Sequence, residues 1–424
     1  VTPTETLAFI QEAGWLGSRP GLERTRRLME LLGHPEERIS FIHVAGTNGK
    51  GSVSAMLASI LGQAGFRTGL FTSPHLLRYQ ERIRIDGQEI SSPDFCAAGD
   101  TVKAAAVQMT DIPTEFERFT AMALVHFARK QCDIVVLETG MGGRLDSTNV
   151  IPPPALAVIT GVGLDHTEYL GSTLPAIAGE KAGIIKPGSP VVLAGGFPEA
   201  EESVRERCAA LGCPLTVTDP SLLTRRDGDI LSGQRLGYRH RQDLRLGLLG
   251  TYQCQNAAVA LDAADVLRSR GWAIPEEAIR TGLANALWPG RFEVLAQNPL
   301  VLVDGAHNPQ GAAALADSLR AYLPEKKITF VTGVLADKDY CAMLDSLAPF
   351  AREFFTAAPD SPRALPAKTL AETVRARFGL PARPASHIRE ALNMALEAAG
   401  PSGAVCAWGS LYQAGQVRAY FGRT

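Results

Sequence analysis

Val44-Ala-Gly-Thr-Asn-Gly-Lys-Gly-Ser52 is the stretch of this chain whose residue types are best suited to chemistry. It follows the apolar run Ile39-Ser-Phe-Ile-His-Val44 and precedes Val53, Met56, Leu57, Ile60 and Leu61, which are spaced for one face of a helix. Glycines let successive N–H groups turn inward on one anion, and the helix N-terminus adds its partial positive charge. Gly46, Thr47, Asn48, Gly49 and Gly51 would shape such a phosphate cradle. Lys50 would neutralise the outer phosphates, and the Ser52 hydroxyl would reach a metal ion. The pattern departs from G-x-x-x-x-G-K-[ST]: Val44 holds the place of the first glycine, and Gly51 stands where a Ser or Thr belongs. A nucleoside triphosphate is the expected ligand, against the plainer reading of a glycine-rich turn with a surface lysine.

Other polar residues fall just after apolar runs, where ligands of open parallel sheets bind. Asp133-Ile-Val-Val-Leu-Glu138 ends in a carboxylate, placed either to hold Mg²⁺ or to form a salt bridge; the metal role is favoured beside a phosphate loop. Ala155-Leu-Ala-Val-Ile-Thr160 leads into Gly-Val-Gly-Leu-Asp165-His166. On spacing alone, His166 fits a metal ligand and a packed or solvated histidine equally well. Lys181 and Lys186, at the end of a helical pattern, read as ordinary surface lysines. Asp304-Gly-Ala-His307-Asn-Pro309 follows the run Leu300 to Val303 and reads as a ligand-facing turn. Arg291, in the turn-rich segment Trp288 to Glu293, either reaches a nucleotide phosphate or forms an interdomain salt bridge.

The elements that must hold these residues alternate. Apolar strand-like runs at 133–138, 155–160 and 190–194 are continuous, as in parallel strands covered on both faces. Helical patterns lie between them, at 119–130 and 174–183. The fold class is α/β: a large P-loop ATPase domain with a mainly parallel sheet, then a smaller C-terminal Rossmann-like domain. Residues 213–250 differ, and their polar-alternating pieces Arg235–Arg239 and Asp243–Leu248 predict antiparallel strands at one edge of that sheet. Helical patterns return at 256–270 and 276–286, and strand–helix alternation restarts after the Pro289-Gly joint, with strands expected near 300–304, 327–331, 353–356 and 403–407. This places the boundary between residues 1–289 and 290–424. A length of 424 residues suits two or three domains.

Composition narrows the function. Hydrophobic content of 46% and charged content of 20% are those of a soluble globular enzyme. A net charge of −2 offers nucleic acid or an acidic membrane no handle. Seven scattered cysteines, with no C-x-x-C pair, predict reduced thiols and a cytoplasmic location. The first ten residues do not form a signal peptide, and no apolar run is long enough to cross a membrane.

Seven motifs, taken in order, resemble one family. They are Gly46 to Ser52, Thr72-Ser-Pro-His-Leu76, Glu138-Thr-Gly-Met-Gly-Gly-Arg-Leu-Asp146, Asp165-His166, Glu180-Lys181 to Gly188, Pro289-Gly-Arg-Phe-Glu293 and Asp304 to Pro309. Together they are similar to the folylpolyglutamate synthase/dihydrofolate synthase family of Mur-type ATP-dependent amide ligases, over essentially the whole chain. The departures at Val44 and Gly51 are that family's own form of the loop. The resemblance implies ATP in an interdomain cleft. It gives catalytic positions to Lys50, His166 and Lys181, and surrounds two Mg²⁺ ions with Ser52, Ser73, Glu138, His166 and a carbamylated Lys181. Asn256, in Gly250-Thr-Tyr-Gln-Cys-Gln-Asn256, would meet the adenine end, and Arg291, Asp304 and His307 would close on ATP. Ser73, Pro74 and His75 would border the folate, with Phe116 and Glu117 from Thr114-Glu-Phe-Glu-Arg-Phe-Thr120 on the pterin side; Ser410 is the candidate for glutamate. The implied substrates are folate or dihydropteroate, L-glutamate and ATP, joined through an acyl phosphate by a monomer. Two rivals are another Mur-type ligase, against which the Ser-Pro-His-Leu loop and the Phe116 motif argue, and a non-catalytic nucleotide-binding protein.

Overall fold

The computed structural model describes residues 2–14, 17, 19–226 and 233–423. Eight strands form the first sheet: β1 (Ser40–Ala45), β2 (Thr68–Phe71), β3 (Ile83–Ile85), β4 (Gln88–Glu89), β5 (Ile134–Glu138), β6 (Leu156–Ile159), β7 (Val191–Ala194) and β8 (Leu215–Thr218). Their order is β4-β3-β2-β5-β1-β6-β7-β8. All pairings are parallel except β2–β3 and β3–β4, a short antiparallel hairpin at one edge.

The central strands are apolar throughout because both faces are covered. Phe41, Val135 and Leu137 pack with Phe119 and Phe127 of helix Glu115–Arg129. Ile42, Val44 and Val136 pack on the other side, with Met56 and Ile60 of helix Lys50–Gln63 and Leu261 of helix Tyr252–Ser269. Register then positions the chemistry. Val44 pairs with Glu138, and Ala45 pairs with Ile159. The ends of β5, β1 and β6 therefore lie side by side, and the phosphate loop leaves from the middle one.

The polar-alternating segment is not an edge of this sheet. It forms a separate antiparallel sheet of β9 (Leu223–Arg226), β10 (Gln234–Tyr238) and β11 (Arg241–Leu246). The reason is its one apolar face: Leu236, Tyr238, Leu244 and Leu246 are buried in the core shared with helix Tyr252–Ser269. Paired edge-on with β8, that face would have lost its cover.

The second large sheet holds β12 (Glu293–Gln297), β13 (Leu300–Asp304), β14 (Ile328–Thr332), β15 (Ala351–Thr356), β16 (Ala382–Pro384) and β17 (Ala404–Trp408), ordered β12-β13-β17-β14-β15-β16. It is parallel apart from the β12–β13 hairpin. The architecture is thus the expected one, a large α/β body with a mainly parallel sheet and a smaller Rossmann-like one. β12 is an addition, since the sequence showed only turn signals before it. Between the bodies, buried Phe292 adopts a left-handed φ of 43°. A bulky residue there is strained and must be held by its surroundings. Its N–H donates to Asp304 Oδ2 at 2.8 Å.

Candidate active site

The phosphate loop opens onto a cavity of about 1180 Å³, walled by both bodies. Gly49 caps the following helix at φ 88°, a conformation that side chains resist. Lys50 Nζ donates to the loop's own carbonyls, Gly46 O at 3.0 Å and Thr47 O at 3.3 Å, so the ammonium already lies over the cradle. Ser52 is buried and its Oγ accepts from Gln253 Nε2 at 3.1 Å. The missing side chain at 51 has a steric cause. A Cβ there would lie 2.4 Å from the Trp288 ring, which occupies the space that a Ser or Thr would need. Asn256 lines the same cavity, with its Oδ1 against Gly49.

Glu138 ends β5 fully buried, and its Oε2 accepts one hydrogen bond, from the Ser73 N–H at 3.1 Å. Burial pushes its pKa up to about 7, although Lys50 and Arg291 draw it down. Lys181 is not a surface lysine. It is 2% exposed, with no hydrogen bond to its ammonium among the described residues; burial and the charge of Lys50 bring its pKa down to about 7. The loop 140–146 covers it: Gly143 and Gly183 allow backbone-to-backbone approach between that loop and helix Leu174–Ala182. Lys186 is likewise drawn inward, donating to Asn149 O and Ile151 O. His166 takes a left-handed φ of 51° at the cavity wall, exposed to solvent. A buried carboxylate short of donors, a low-pKa amine and Ser73 thus line the cavity onto which the cradle opens. Among the described residues, the one trio of His, Cys, Asp or Glu side chains with ligand atoms within 4.8 Å of one another is His34, Glu36 and Glu37, which lies off the cavity.

On the opposite wall the strand-end carboxylate is well bonded. Asp304 Oδ2 accepts from Tyr252 Oη at 2.7 Å and from the Phe292 N–H, while Oδ1 accepts from the Ala306 N–H at 2.8 Å. Asp304 therefore ties the start of helix Tyr252–Ser269 to the joint and to its own turn. His307 Nδ1 meets Gly305 O at 2.8 Å, so Nδ1 carries the proton and Nε2 is left as an acceptor. Burial lowers its pKa to about 4. Arg291 borders the same turn and donates to Gly290 O. Across the cleft, Lys338 Nζ pairs with Asp165 Oδ1 at 2.7 Å, Asn308 Nδ2 donates to Asn48 Oδ1 at 3.1 Å, and Asn48 Nδ2 donates to Gln310 Oε1 at 3.0 Å. Ser410 is buried at this wall and caps helix Leu411–Tyr420.

At the far end, Phe116 lines the cavity with its ring against Gly140, where a Cβ would lie 2.5 Å away. Glu117 lines it too, but its carboxylate is already bonded to the Thr114 N–H at 2.7 Å and to Arg24. Ser73 and Pro74 border the cavity. His75 does not; its Nδ1 accepts from Arg82 Nε at 2.9 Å and its ring stacks on Tyr79. The structure thus gathers every site residue read from the sequence except His75. It adds Gln253, Asp165, Lys338 and Trp288, all absent from the sequence reading as site residues. Asp165 adjoins His166, Lys338 follows a strand end, Gln253 lies in the Gly250–Asn256 motif and Trp288 opens the turn-rich joint, so each carried a positional signal and none a chemical one.

Two family models match this chain. The Mur ligase middle domain covers residues 44–203, and the Mur ligase glutamate ligase domain covers residues 290–411. A Bacillus subtilis dihydrofolate synthase/folylpolyglutamate synthase is 41% identical over 364 residues, 84% of each chain. A Mycobacterium tuberculosis folylpolyglutamate synthase complexed with ADP superposes with a TM-score of 0.90 at 34% identity, over 99% of both chains. E. coli FolC in complex with DHPP and ADP gives a TM-score of 0.89 at 31% identity, over 100% of this chain and 98% of that one.

Proposed function

We propose a reaction for this cleft from one premise: the chain belongs to the Mur ligases, in the folylpolyglutamate synthase/dihydrofolate synthase family. It is an ATP-dependent carboxylate–amine ligase that adds L-glutamate to folates, and in the fuller form of the proposal it also acts on dihydropteroate. The observation that carries the reading is the single cavity lined by the Lys50 cradle, the buried Glu138 and Lys181, and the Asp304–His307 turn.

A carboxylate resists attack by an amine because its oxide leaves poorly. Phosphorylation by the γ-phosphoryl of ATP gives an acyl phosphate, whose leaving group is phosphate. Lys50 moves from the loop carbonyls to the transferring phosphoryl and offsets its charge, which is the main task in such a transfer. The glutamate amino group then attacks the acyl carbon. The amine attacks as the free base and its proton leaves with the phosphate; His307, kept neutral by burial and with its Nδ1 proton on Gly305 O, presents Nε2 as a hydrogen-bond acceptor that orients the amine. Asp165–Lys338 and the Asn48–Asn308 bridge keep the walls together and exclude the water that would waste the acyl phosphate.

The donor set also fits Mg²⁺. Ser52, Ser73, Glu138, His166 and Lys181 would hold the ions, which would supply Lewis-acid neutralisation of the phosphates. The buried Glu138 carboxylate, with its single backbone hydrogen bond, is a group that a bound cation would stabilise. A Lys181 drawn down to about 7 is largely a free amine at pH 8, the form that takes up CO₂ to become a carbamate. Phe116 offers a flat apolar face to the pterin ring. The division into domains 1–289 and 290–424 is supported by the change of sheet at the joint. A monomer in the cytoplasm completes the proposal. All seven cysteines are free thiols, and no helix among the described residues is long and apolar enough to cross a membrane.

Mass analysis of products from dihydropteroate or tetrahydrofolate, ATP and labelled glutamate tests this reading. One labelled glutamate in amide linkage, with ADP and phosphate released, is the expected result. ATP turnover with no new amide would overturn it.

A further inference from the structure

Beside the main cavity lies a chamber of about 80 Å³, enough for a carboxylate and a short methylene stem at about 30 Å³ per water-sized group. Ser73, Glu138 and Arg291 belong to the walls of both, so the chamber opens next to the phosphate site. β3 contributes Arg84 to it, and helix Leu411–Tyr420 contributes Arg418. Their side chains are only 17% and 10% exposed.

These guanidinium groups are under-neutralised. Arg84 Nε is buried with no hydrogen-bond partner among the described residues. Its carboxylate neighbour is Glu89, 3.7 Å away, which Arg78 already holds at 3.2 Å. Glu81 also lines the chamber, but its oxygens accept from the N–H groups of Leu76, Leu77 and Arg78. Arg418 spends its Nε on Glu293, at 2.9 Å, and its two terminal nitrogens make no hydrogen bond among the described residues. Burial is the main force lowering the Arg84 pKa; Glu89 and Glu81 offset part of it, and the charges of Arg418 and Arg78 add to it. Two buried forks facing one small space call for an anion, and a planar carboxylate matches their geometry. Leu76, Trp288 and Leu411 supply apolar wall for methylene groups.

We propose that this chamber seats the side-chain carboxylate of the incoming glutamate, leaving its amino group to emerge at the Glu138–Arg291 opening. The proposal rests on the ligase reading above. It makes Arg84 a specificity determinant, because a largely buried guanidinium whose Nε has no partner among the described residues disfavours an amino acid that lacks the second carboxylate.

Two measurements on the full chain test it. In steady-state assays, Arg84→Met should raise the KM for glutamate about 10- to 100-fold, the range for losing a charged hydrogen bond, and leave the KM for ATP within about two-fold. The preference for glutamate over norvaline, which lacks the side-chain carboxylate, should fall by the same factor, and Arg84→Lys should recover part of it. A preserved preference would overturn the proposal, as would a raised KM for the folate in place of glutamate, which would give the chamber to the growing chain. Calorimetric titration of glutamate into the ADP-loaded protein reads the chamber without turnover. A wild type that binds glutamate yet forms no amide sinks the ligase reading alone. Equal binding by wild type and Arg84→Met sinks the chamber alone.

Discussion

Each wall of the cleft ends a strand in a buried carboxylate, and the two are dressed in opposite ways. Glu138, on the phosphate-loop side, accepts one backbone hydrogen bond and carries a raised pKa. Asp304, on the other side, is also pushed up by burial, but it accepts from one hydroxyl and two backbone N–H groups that, with Arg291, draw it back down. A buried carboxylate left short of donors costs stability until a cation arrives, whereas a fully bonded one is part of the scaffold. The contrast separates the groups that do chemistry from those that aim them. It also makes opposite demands on stability, which mutation can expose.

The largest effect is expected at the cradle. Lys50→Ala should lower turnover by about 10³-fold or more with little change in melting temperature, because the ammonium bonds only to loop carbonyls at rest. A rate within ten-fold of wild type would remove Lys50 from the reaction.

Glu138→Gln comes next, with turnover reduced by about two orders of magnitude. Its stability effect has a definite sign. The carboxyl titrates near 7 in the folded protein and near ~4.3 when unfolded, so the folded state prefers the protonated form. The group's contribution is therefore fully favourable below the unfolded value and is lost as pH rises through about 7, leaving a buried charge above it. The amide removes that charge. Melting curves of the ligand-free, metal-free variant should show a gain over wild type at pH 8 that shrinks by pH 6; a gain independent of pH would contradict the assignment.

Asp304→Asn should behave in the reverse sense. The amide cannot accept from all three donors, so the fold should lose about 1–3 kcal/mol, seen as a lower melting temperature. Turnover should fall about ten-fold through a misplaced His307 turn. A stabilised Asp304→Asn would erase the distinction between the walls. The smallest effect belongs to the far end of the cleft: Phe116→Ala should raise the KM for the pterin substrate about ten-fold and leave that for ATP unchanged. Equal changes in both would make the ring a packing residue.

Much of this was legible in the sequence because strand ends announce themselves. The apolar runs before Gly46, Glu138 and Asp304 located the three loops that form the cleft, and the α/β class followed from the same runs. What escaped reading depends on contacts between distant segments. Gly51 read as a departure from the usual loop, and its cause is Trp288, which arrives from the joint. Lys181 read as exposed because nothing in its helix reveals that the loop 140–146 will cover it. The separate sheet of β9–β11 was misplaced because period-two alternation fixes the buried face and not the partner.

The central claim is that this cleft activates a carboxylate with ATP before an amine attacks it. Dihydropteroate carrying heavy oxygen in its carboxylate, incubated with ATP, Mg²⁺ and glutamate, tests that claim directly by mass analysis of the phosphate released. The expected result is one heavy oxygen in each phosphate, matched by an equal amount of new amide. Amide formed with unlabelled phosphate, or labelled substrate returned unchanged while ATP is consumed, would contradict it.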